Sequence, residues 1–401
     1  MSPGPRMAPG VAPRVVPRVA SKVAPKVALF LAAVFGANAI NAYMPLWFAG
    51  QGLSPVEIGQ VLSLASLFKV CAGPGWGTLA DRMGRRRPVM ALAATAAMVL
   101  SLLYVPLHGF LPLLLVAAFQ GVAASALGPL ADSLALALTR EGKMEYAPVR
   151  AAGSVSFMAA TAAAGQGLAL LGTAVVPWMQ ALGYGLAALC AGLLPEAATP
   201  PAAPGTAGMA ALFRLKPFRL AILCTALIQG SHAAYYGFAA LFWREQGIGD
   251  GTIGLLIAEG IVVEIALFLR GRRLVERLGP AGLTACAASA CILRWSVTAL
   301  APPLPVLALA QVLHAATFAM QHLSAMLVLS RAIPPARAAT AQALHAALGY
   351  GASTGIMMLL TGFLYARFGG LAFLAMAVCG GLALLCVAPL RRATGAGPQG
   401  R

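Results

Sequence analysis

The sequence predicts an all-α membrane protein whose twelve transmembrane helices form two pseudo-symmetric halves of six helices each. Three observations support this prediction. Of the 401 residues, 60% are hydrophobic and only 10% are charged, whereas about a quarter of the residues in a soluble domain are charged. The apolar residues form twelve stretches of membrane-spanning length. A short pattern of residues also occurs twice, once in each half of the chain.

Each apolar stretch holds about the 20 residues that a helix needs to cross the hydrocarbon core of a bilayer. The stretches cover 29–49, 56–79, 87–107, 110–138, 147–172, 174–194, 217–243, 251–270, 281–301, 303–330, 338–366 and 369–390. A segment rich in Pro, Ala and Gly separates the sixth from the seventh. The predicted organisation is a disordered basic cytoplasmic tail (1–26), an N-terminal six-helix half (27–194), a cytoplasmic linker (195–216), a C-terminal six-helix half (217–391) and a cytoplasmic tail (392–401).

The net charge of +17 is distributed unevenly, and this predicts the orientation of the helices. Loops rich in Lys and Arg face the cytoplasm. With both termini cytoplasmic in a bacterial inner membrane, the outer loops contain only Arg244 and Arg367. The inner loops and the C-terminal end contain Arg82, Arg85, Arg86, Arg87, Arg140, Lys143, Arg150, Arg214, Lys216, Arg219, Arg270, Arg272, Arg273, Arg277, Arg331, Arg337, Arg391, Arg392 and Arg401. Because these residues do not form one face with interleaved aromatic residues, we expect no nucleic-acid partner.

The seven cysteines lie singly within apolar stretches and form no C-x-x-C pair. They therefore predict neither a zinc site nor a disulfide framework. The sequence also lacks a phosphate-binding loop and a nucleophile–base motif. We expect no enzyme activity, no cofactor and no metal.

One constant offset of 195 residues relates the two halves. It aligns Gln51–Gly52 with Gln246–Gly247 and Asp81 with Glu276, and it also pairs Leu79, Arg82 and Gly84 with Leu274, Arg277 and Gly279. Such a repeat predicts two halves related by an axis along the membrane normal, with solute bound between them near the midplane.

The loop after the second stretch reads Gly77-Thr-Leu-Ala-Asp81-Arg82-Met-Gly84-Arg85-Arg86-Arg87. This pattern resembles the signature loop of the major facilitator superfamily, and the resemblance implies that fold and alternating access. We expect Asp81, Arg82 and Arg85 to take part in gating. Asp81 is expected to cap a helix terminus across the interface between the halves.

A closer resemblance, to the phenylpropionate/proton symporter family, extends over nearly the whole chain after the tail. It is carried by Gln229-Gly-Ser-His232-Ala-Ala-Tyr235-Tyr236-Gly-Phe, Val263-Glu264-Ile, Leu293-Arg294-Trp295, Gln311-Val-Leu-His314-Ala-Ala-Thr-Phe and His322, and in the first half by Lys69, Pro129-Leu-Ala-Asp132 and Val149-Arg150-x-x-Gly153-Ser154. Glu259 and His345 depart from the family pattern. The resemblance implies proton-driven uptake of an aromatic carboxylic acid such as 3-phenylpropionate, by a protein that we expect to be a monomer.

Ionisable residues within membrane helices are costly, so each one is a candidate for function. Lys69 and Glu264 are equivalent positions of the repeat. They are interpreted as a cation for a substrate carboxylate and as a proton-carrying carboxylate, or alternatively as a fixed charge pair. Glu259 lies about 140° around the helix from Glu264, and it is either a second protonation site or a packing residue.

The other candidates are polar or aromatic residues within the spans. We expect substrate contacts from Asn38, Asn41, Tyr43, His232, Tyr235, Tyr236, Arg294, His314 and Gln321, and a proton-coupling role for His322. Histidine titrates near physiological pH, but a membrane histidine also serves in packing. Arg294 has a structural partner as its alternative. Asp132 and Arg150 predict an inner-gate salt bridge.

The leading prediction is a secondary active transporter whose partners are a small organic anion, protons and the lipid bilayer. Protonation of Glu264 or of a histidine would neutralise the loaded cavity. Two alternatives stay open, namely an efflux antiporter for drugs or metabolites and a non-transporting membrane sensor or assembly factor built on the same fold. The signature loop suits export as well as uptake, although embedded cations such as Lys69 and Arg294 argue against cationic drugs.

Overall fold

The computed structural model describes residues 23–196, 209–334 and 337–395, and nearly all of them are helical. The N-terminal half contains α1 (Ala24–Gly50), α2 (Pro55–Met83), α3 (Arg86–Leu103), α4 (Phe110–Arg140), α5 (Tyr146–Leu171) and α6 (Thr173–Leu193). A short linker helix, Met209–Arg214, precedes the C-terminal half.

The C-terminal half contains six further helices, three of which include a π-helical segment. Helix α7 comprises Lys216–Gly230, His232–Ala234, the π-helical Tyr235–Ala239 and Ala240–Glu245. It is followed by α8 (Asp250–Arg270), α9 (Arg272–Ala299) and α10 (Leu304–Ala332, π-helical over Ala315–Met320). Helix α11 comprises Ala338–Leu344, the π-helical His345–Ala352 and Ser353–Phe368, and α12 comprises Gly369–Leu371, Ala372–Leu385 and Val387–Gly395.

These helices make the chain an all-α, multi-pass membrane protein. In the described part of the chain, nine helices are long and apolar enough to cross a membrane, and the last of these, Thr340–Gly395, includes both α11 and α12. The twelve predicted stretches coincide with α1 to α12. Residues 1–22, most of the predicted disordered tail, lie outside the described residues. Helix α1 begins inside that predicted tail because Pro25 occupies its first turn, where proline favours a helix start.

The repeat is visible in the backbone at equivalent positions of the two halves. Gly52 and Gly247 have φ angles of 85° and 80°, and Gly84 and Gly279 have φ angles of 61° and 60°. Both pairs are 195 residues apart. A positive φ angle is accessible to glycine without the penalty that a Cβ atom would impose. Gly52 and Gly247 thus follow the equivalent helices α1 and α7. Gly84 follows α2 with a ψ angle of 10°, whereas Gly279 lies at a kink within α9 with a ψ angle of −177°, so the second pair shares its φ angle alone.

The two halves meet at one end of the bundle, which we call the closed end. It carries the α1–α2 and α7–α8 loops, at 51–54 and 246–249. One apolar cluster there contains side chains of both halves, including Trp47 and Trp243. Toward the opposite end, which we call the arginine-rich end, the described residues form separate apolar clusters in the N-terminal and the C-terminal half. The halves are therefore packed together at the closed end and apart at the other.

Glycines allow this close approach at the closed end. A Cβ atom on Gly59 of α2 would lie 2.8 Å from Gly362 Cα of α11, and one on Gly165 of α5 would lie 3.0 Å from Gly254 Cα of α8. By contrast, Gly73 of α2 has no neighbouring atom within 4 Å of its Cβ position. The α2–α11 and α5–α8 contacts thus close one end of a central cavity that opens toward the arginine-rich end.

Candidate functional site

A cavity of about 630 Å³ lies between the halves. Residues of α1, α2, α4 and α5 line one wall, and residues of α7, α8, α10 and α11 line the other. Eight of the predicted site residues line it, namely Asn38, Asn41, Lys69, Arg150, Tyr235, Tyr236, Glu264 and His314. A cavity of this volume matches the size of pockets that hold small molecules.

The N-terminal wall carries a network of side-chain amides and hydroxyl groups. Gln180 donates from Nε2 to Asn41 Oδ1 at 2.7 Å, and Tyr184 donates its hydroxyl to Asn38 Oδ1 at 3.2 Å. Gln120 donates from Nε2 to Gln180 Oε1 at 2.6 Å. These bonds satisfy polar groups that would otherwise be costly inside a membrane, and they hold Asn38 and Asn41 at the cavity surface. We did not single out Gln120, Gln180 or Tyr184 from the sequence, although amides within apolar spans are a usable signal.

Lys69 projects from the same wall, and within the described part of the chain no carboxylate oxygen lies within 4.0 Å of its Nζ. Its exposed side chain therefore presents a positive charge to the cavity without an ion-pair partner. Arg150 differs from it. Its Nε lies 3.6 Å from Asp132 Oδ1 of α4, and its guanidinium group lies 4.3 Å from the centre of the Phe35 ring.

The C-terminal wall presents a carboxylate held by a histidine. His314 Nε2 of α10 lies 3.3 Å from Glu264 Oε2 of α8. The other ring nitrogen, His314 Nδ1, lies 3.1 Å from a terminal nitrogen of Arg294 in α9. Because a guanidinium group can only donate, Nδ1 must accept that bond. The ring proton is then on Nε2, and it is donated to Glu264. Hydrogen bonds thus connect Arg294 to His314 and His314 to Glu264, and the series ends at the cavity.

Arg294 itself is fully buried behind this wall. It donates to Gln311 Oε1 at 2.9 Å and to Thr317 Oγ1 at 3.3 Å. Its guanidinium group also lies 4.6 Å and 4.5 Å from the ring centres of Tyr235 and Trp295. These aromatic faces attract the cation. The structure gives Arg294 this buried environment and does not place it at the cavity surface.

The other predicted binding and coupling residues lie away from the cavity. His232 is buried, and its ring nitrogens lie 3.0 Å from Ile228 O and 3.0 Å from Thr317 Oγ1. Gln321 is buried and donates to Thr225 at 3.1 Å. The Tyr43 hydroxyl donates to Thr161 O at 2.6 Å. His322 Nδ1 lies 2.9 Å from the Tyr350 hydroxyl, and Glu259 is half-buried on α8.

The predicted gating residues of the signature loop lie at the arginine-rich end. Asp81 and Arg82 are exposed, and Arg85 Nε lies 3.2 Å from Glu196 Oε1. In this arrangement Asp81 does not cap a described helix of the C-terminal half, because the halves are apart at that end. No three His, Cys, Asp or Glu side chains among the described residues are gathered as metal ligands.

Comparison with a protein-family model gives a match to the MFS_1-like family over residues 26–375. A probable 3-phenylpropionic acid transporter from Escherichia coli strain K12 is 29% identical over 355 residues, which cover 86% of this chain and 91% of that protein. A maltose permease from Geobacillus stearothermophilus is 29% identical over 350 residues, covering 86% and 88%.

Two solved structures share this architecture. The nucleoside transporter NupG superposes with a TM-score of 0.75 at 17% identity, covering 93% of this chain and 99% of that one. A D-xylose–proton symporter superposes with a TM-score of 0.69 at 16% identity, covering 91% and 96%. At these identities the likeness shows the fold alone.

Proposed function

The chain is a member of the MFS_1-like family of major facilitator transporters, and we propose that it takes up a small organic anion, an aromatic carboxylic acid, together with protons. Transport proceeds by alternating access of the cavity, with both termini in the cytoplasm of a bacterial cell. In this orientation the arginine-rich end faces inward, as the positive-inside rule requires, and the structure is an inward-open state.

The observation that carries this proposal is the cationic Lys69 on the wall of a cavity with aromatic residues. A positive charge without a carboxylate partner is costly in a membrane, and a substrate carboxylate offers it a charge-assisted hydrogen bond. The rings of Tyr236 and Phe318 lie on the opposite wall, where they offer contact surface for an aromatic body. An aromatic monoacid matches both features.

Glu264 is the proposed proton carrier. A proton on Glu264 and a carboxylate at Lys69 together add no net charge to the cavity. The cavity therefore has the same net charge whether the carrier is loaded or empty. Loading then adds no cost of moving an extra charge into the membrane. The relative from Escherichia coli, named a probable 3-phenylpropionic acid transporter, supports this class of substrate.

Uptake of radiolabelled 3-phenylpropionate into proteoliposomes, with and without an inward proton gradient, tests the proposal. We expect gradient-driven accumulation by the parent protein. Glu264→Gln should lose accumulation and keep counterflow, because exchange of bound substrate needs no net proton movement. Accumulation by Glu264→Gln at the parent level would refute the coupling role.

Substitution of Lys69 tests the binding role separately. Lys69→Met removes a charge-assisted hydrogen bond and should raise KM by about 10- to 150-fold, whereas Lys69→Arg should retain most of the affinity. Lys143→Met is the matched control, since Lys143 lies at the arginine-rich end and pairs with Glu141. A KM for Lys69→Met equal to that of the control would overturn the anion site.

A neutral, hydroxylated solute is the second candidate, favoured by the amide network around Asn38 and Asn41 and by the relative named a maltose permease. Unlabelled maltose in the same uptake assay separates the two candidates, because only a shared site allows competition. Accumulation that requires an outward proton gradient would instead indicate export. Absence of any transported solute would favour a sensor or assembly factor.

A further inference from the structure

A second pocket, of about 490 Å³, lies at the arginine-rich end of the C-terminal half, outside the central cavity. It is formed by the first half of α9 and by the ends of α10 and α12. Residues Arg277, Arg331 and Arg391, one from each of α9, α10 and α12, line it. Nothing in the transport cycle proposed above uses this pocket.

The three arginines share two properties. Each side chain is exposed, and among the described residues no carboxylate oxygen lies within 4.0 Å of any of their guanidinium groups. Three like charges around one pocket repel one another unless an anion lies between them. Guanidinium groups are also well suited to phosphate, because their donors can form two parallel bonds with it.

The N-terminal half provides an internal comparison. Its helix α6 corresponds to α12, and just beyond the end of α6 the chain carries Glu196. Glu196 Oε1 lies 3.2 Å from Arg85 Nε, so an acid within the chain balances basic charge at that corner. At the equivalent position of the C-terminal half, 195 residues later, the last segment of α12 carries Arg391 instead. Among the residues that the structure describes, no carboxylate takes the place of Glu196 beside Arg391.

Apart from Thr394, the remainder of the pocket is lined by apolar residues and glycine. Leu278, Ala281, Ala285 and Val387 lie beside the arginines, and Gly282 leaves space between α9 and α12. A free inorganic anion gains nothing from such a surface, whereas the glycerol backbone and upper acyl chain of a phospholipid do. Basic pockets between transmembrane helices on the cytoplasmic side also suit anionic headgroups.

We propose that the pocket bounded by Arg277, Arg331 and Arg391 binds an anionic phospholipid of the surrounding leaflet. The arginines contact the headgroup phosphate, and one acyl chain lies along Ala281 and Ala285. The site belongs wholly to the C-terminal half, so the lipid stays bound while the halves move relative to each other. This inference does not depend on the identity of the transported solute.

Native mass spectrometry of the full-length protein in detergent tests the site, with titration of phosphatidylglycerol and, in parallel, of phosphatidylethanolamine. The parent protein should retain phosphatidylglycerol in preference to the zwitterionic lipid. The double variant Arg331→Gln/Arg391→Gln should bind phosphatidylglycerol about 30-fold more weakly, at roughly 5-fold for each arginine. Arg392→Gln is the matched control, because Arg392 is adjacent and exposed but does not line the pocket.

Three results would overturn the proposal. The first is phosphatidylglycerol binding by the double glutamine variant at the parent level. The second is a loss of lipid affinity in Arg392→Gln equal to that in the double variant. The third is displacement of the lipid by millimolar inorganic phosphate, which would indicate a site for free anions. Arg331→Lys/Arg391→Lys keeps both charges and should retain more than half of the binding. If the double glutamine variant fails to fold, as judged by size-exclusion chromatography, Arg391→Gln alone should show the 5-fold loss.

Discussion

Addition of one methyl group to Gly59 should open the closed end. The Cβ atom of an alanine at this position would lie 2.8 Å from Gly362 Cα, 3.2 Å from Gly362 N and 3.0 Å from Met358 O. All three are backbone atoms of α11, in the other half, so no side-chain rotation can relieve the overlap. The two helices must move apart.

The size of the effect follows from the cost of overpacking. Extra carbon atoms in a well-packed region cost about 1–3 kcal/mol, and this cost arises only while the closed end is closed. The equilibrium between the inward-open and outward-open states should therefore shift by about 5- to 150-fold toward the state in which α2 and α11 are apart. Gly73→Ala is the matched control, because it makes the same change in the same helix where nothing lies within 4 Å.

Pulsed electron paramagnetic resonance can measure this shift. Spin labels at residues 171 and 371, exposed leucines at the end of α5 and the start of α12, report the separation of the halves in a background without native cysteines. In Gly59→Ala the distance distribution should gain a longer component that is absent in Gly73→Ala. Identical distributions in the two variants would refute the argument that glycine contacts hold this end closed.

Three further substitutions test other contacts, each by thermal unfolding in detergent. Arg294→Lys keeps the charge but loses the simultaneous bonds to α10, so stability should fall by about 1–3 kcal/mol, and an unchanged Tm would mean that these bonds add nothing. Tyr43→Phe removes the donor to Thr161 O and should cost about 0.5–1.5 kcal/mol; a stabilised variant would contradict this. Arg85→Gln breaks the exposed pair with Glu196 and should change stability by less than about 1 kcal/mol, and a larger loss would show that the pair is structural.

The helices and the repeat were predictable from the sequence because both depend on local patterns. Apolar length alone indicates a span, and the offset of 195 residues aligned glycines that adopt matching φ angles in the structure. The same reasoning selected Lys69 and Glu264, because an ionisable residue in an apolar span is conspicuous whatever its neighbours are. Both residues line the cavity.

The contacts between helices were not predictable in this way. The hydrogen bonds that connect Arg294, His314 and Glu264 join three helices. No sequence periodicity specifies which faces of those helices meet. His232 and His314 look alike as single histidines in apolar spans. Only packing places His314 at the cavity and His232 behind it. The π-helical segments of α7, α10 and α11 were likewise not predicted, because this helix form is rare.

The opposite charges of Lys69 and Glu264 have a consequence for the polarity of the cavity. Two identical copies of a six-helix unit would face each other with the same charge on both walls, and their field would cancel midway. One difference between the copies, at a single equivalent position, instead creates an electric dipole directed from one half to the other. The anion of the proposed function would then be held off the pseudo-symmetry axis, closer to the N-terminal half. The structural symmetry of the halves is thus combined with an electrostatic asymmetry, which would give the anion and the proton of the proposed function separate places in the cavity.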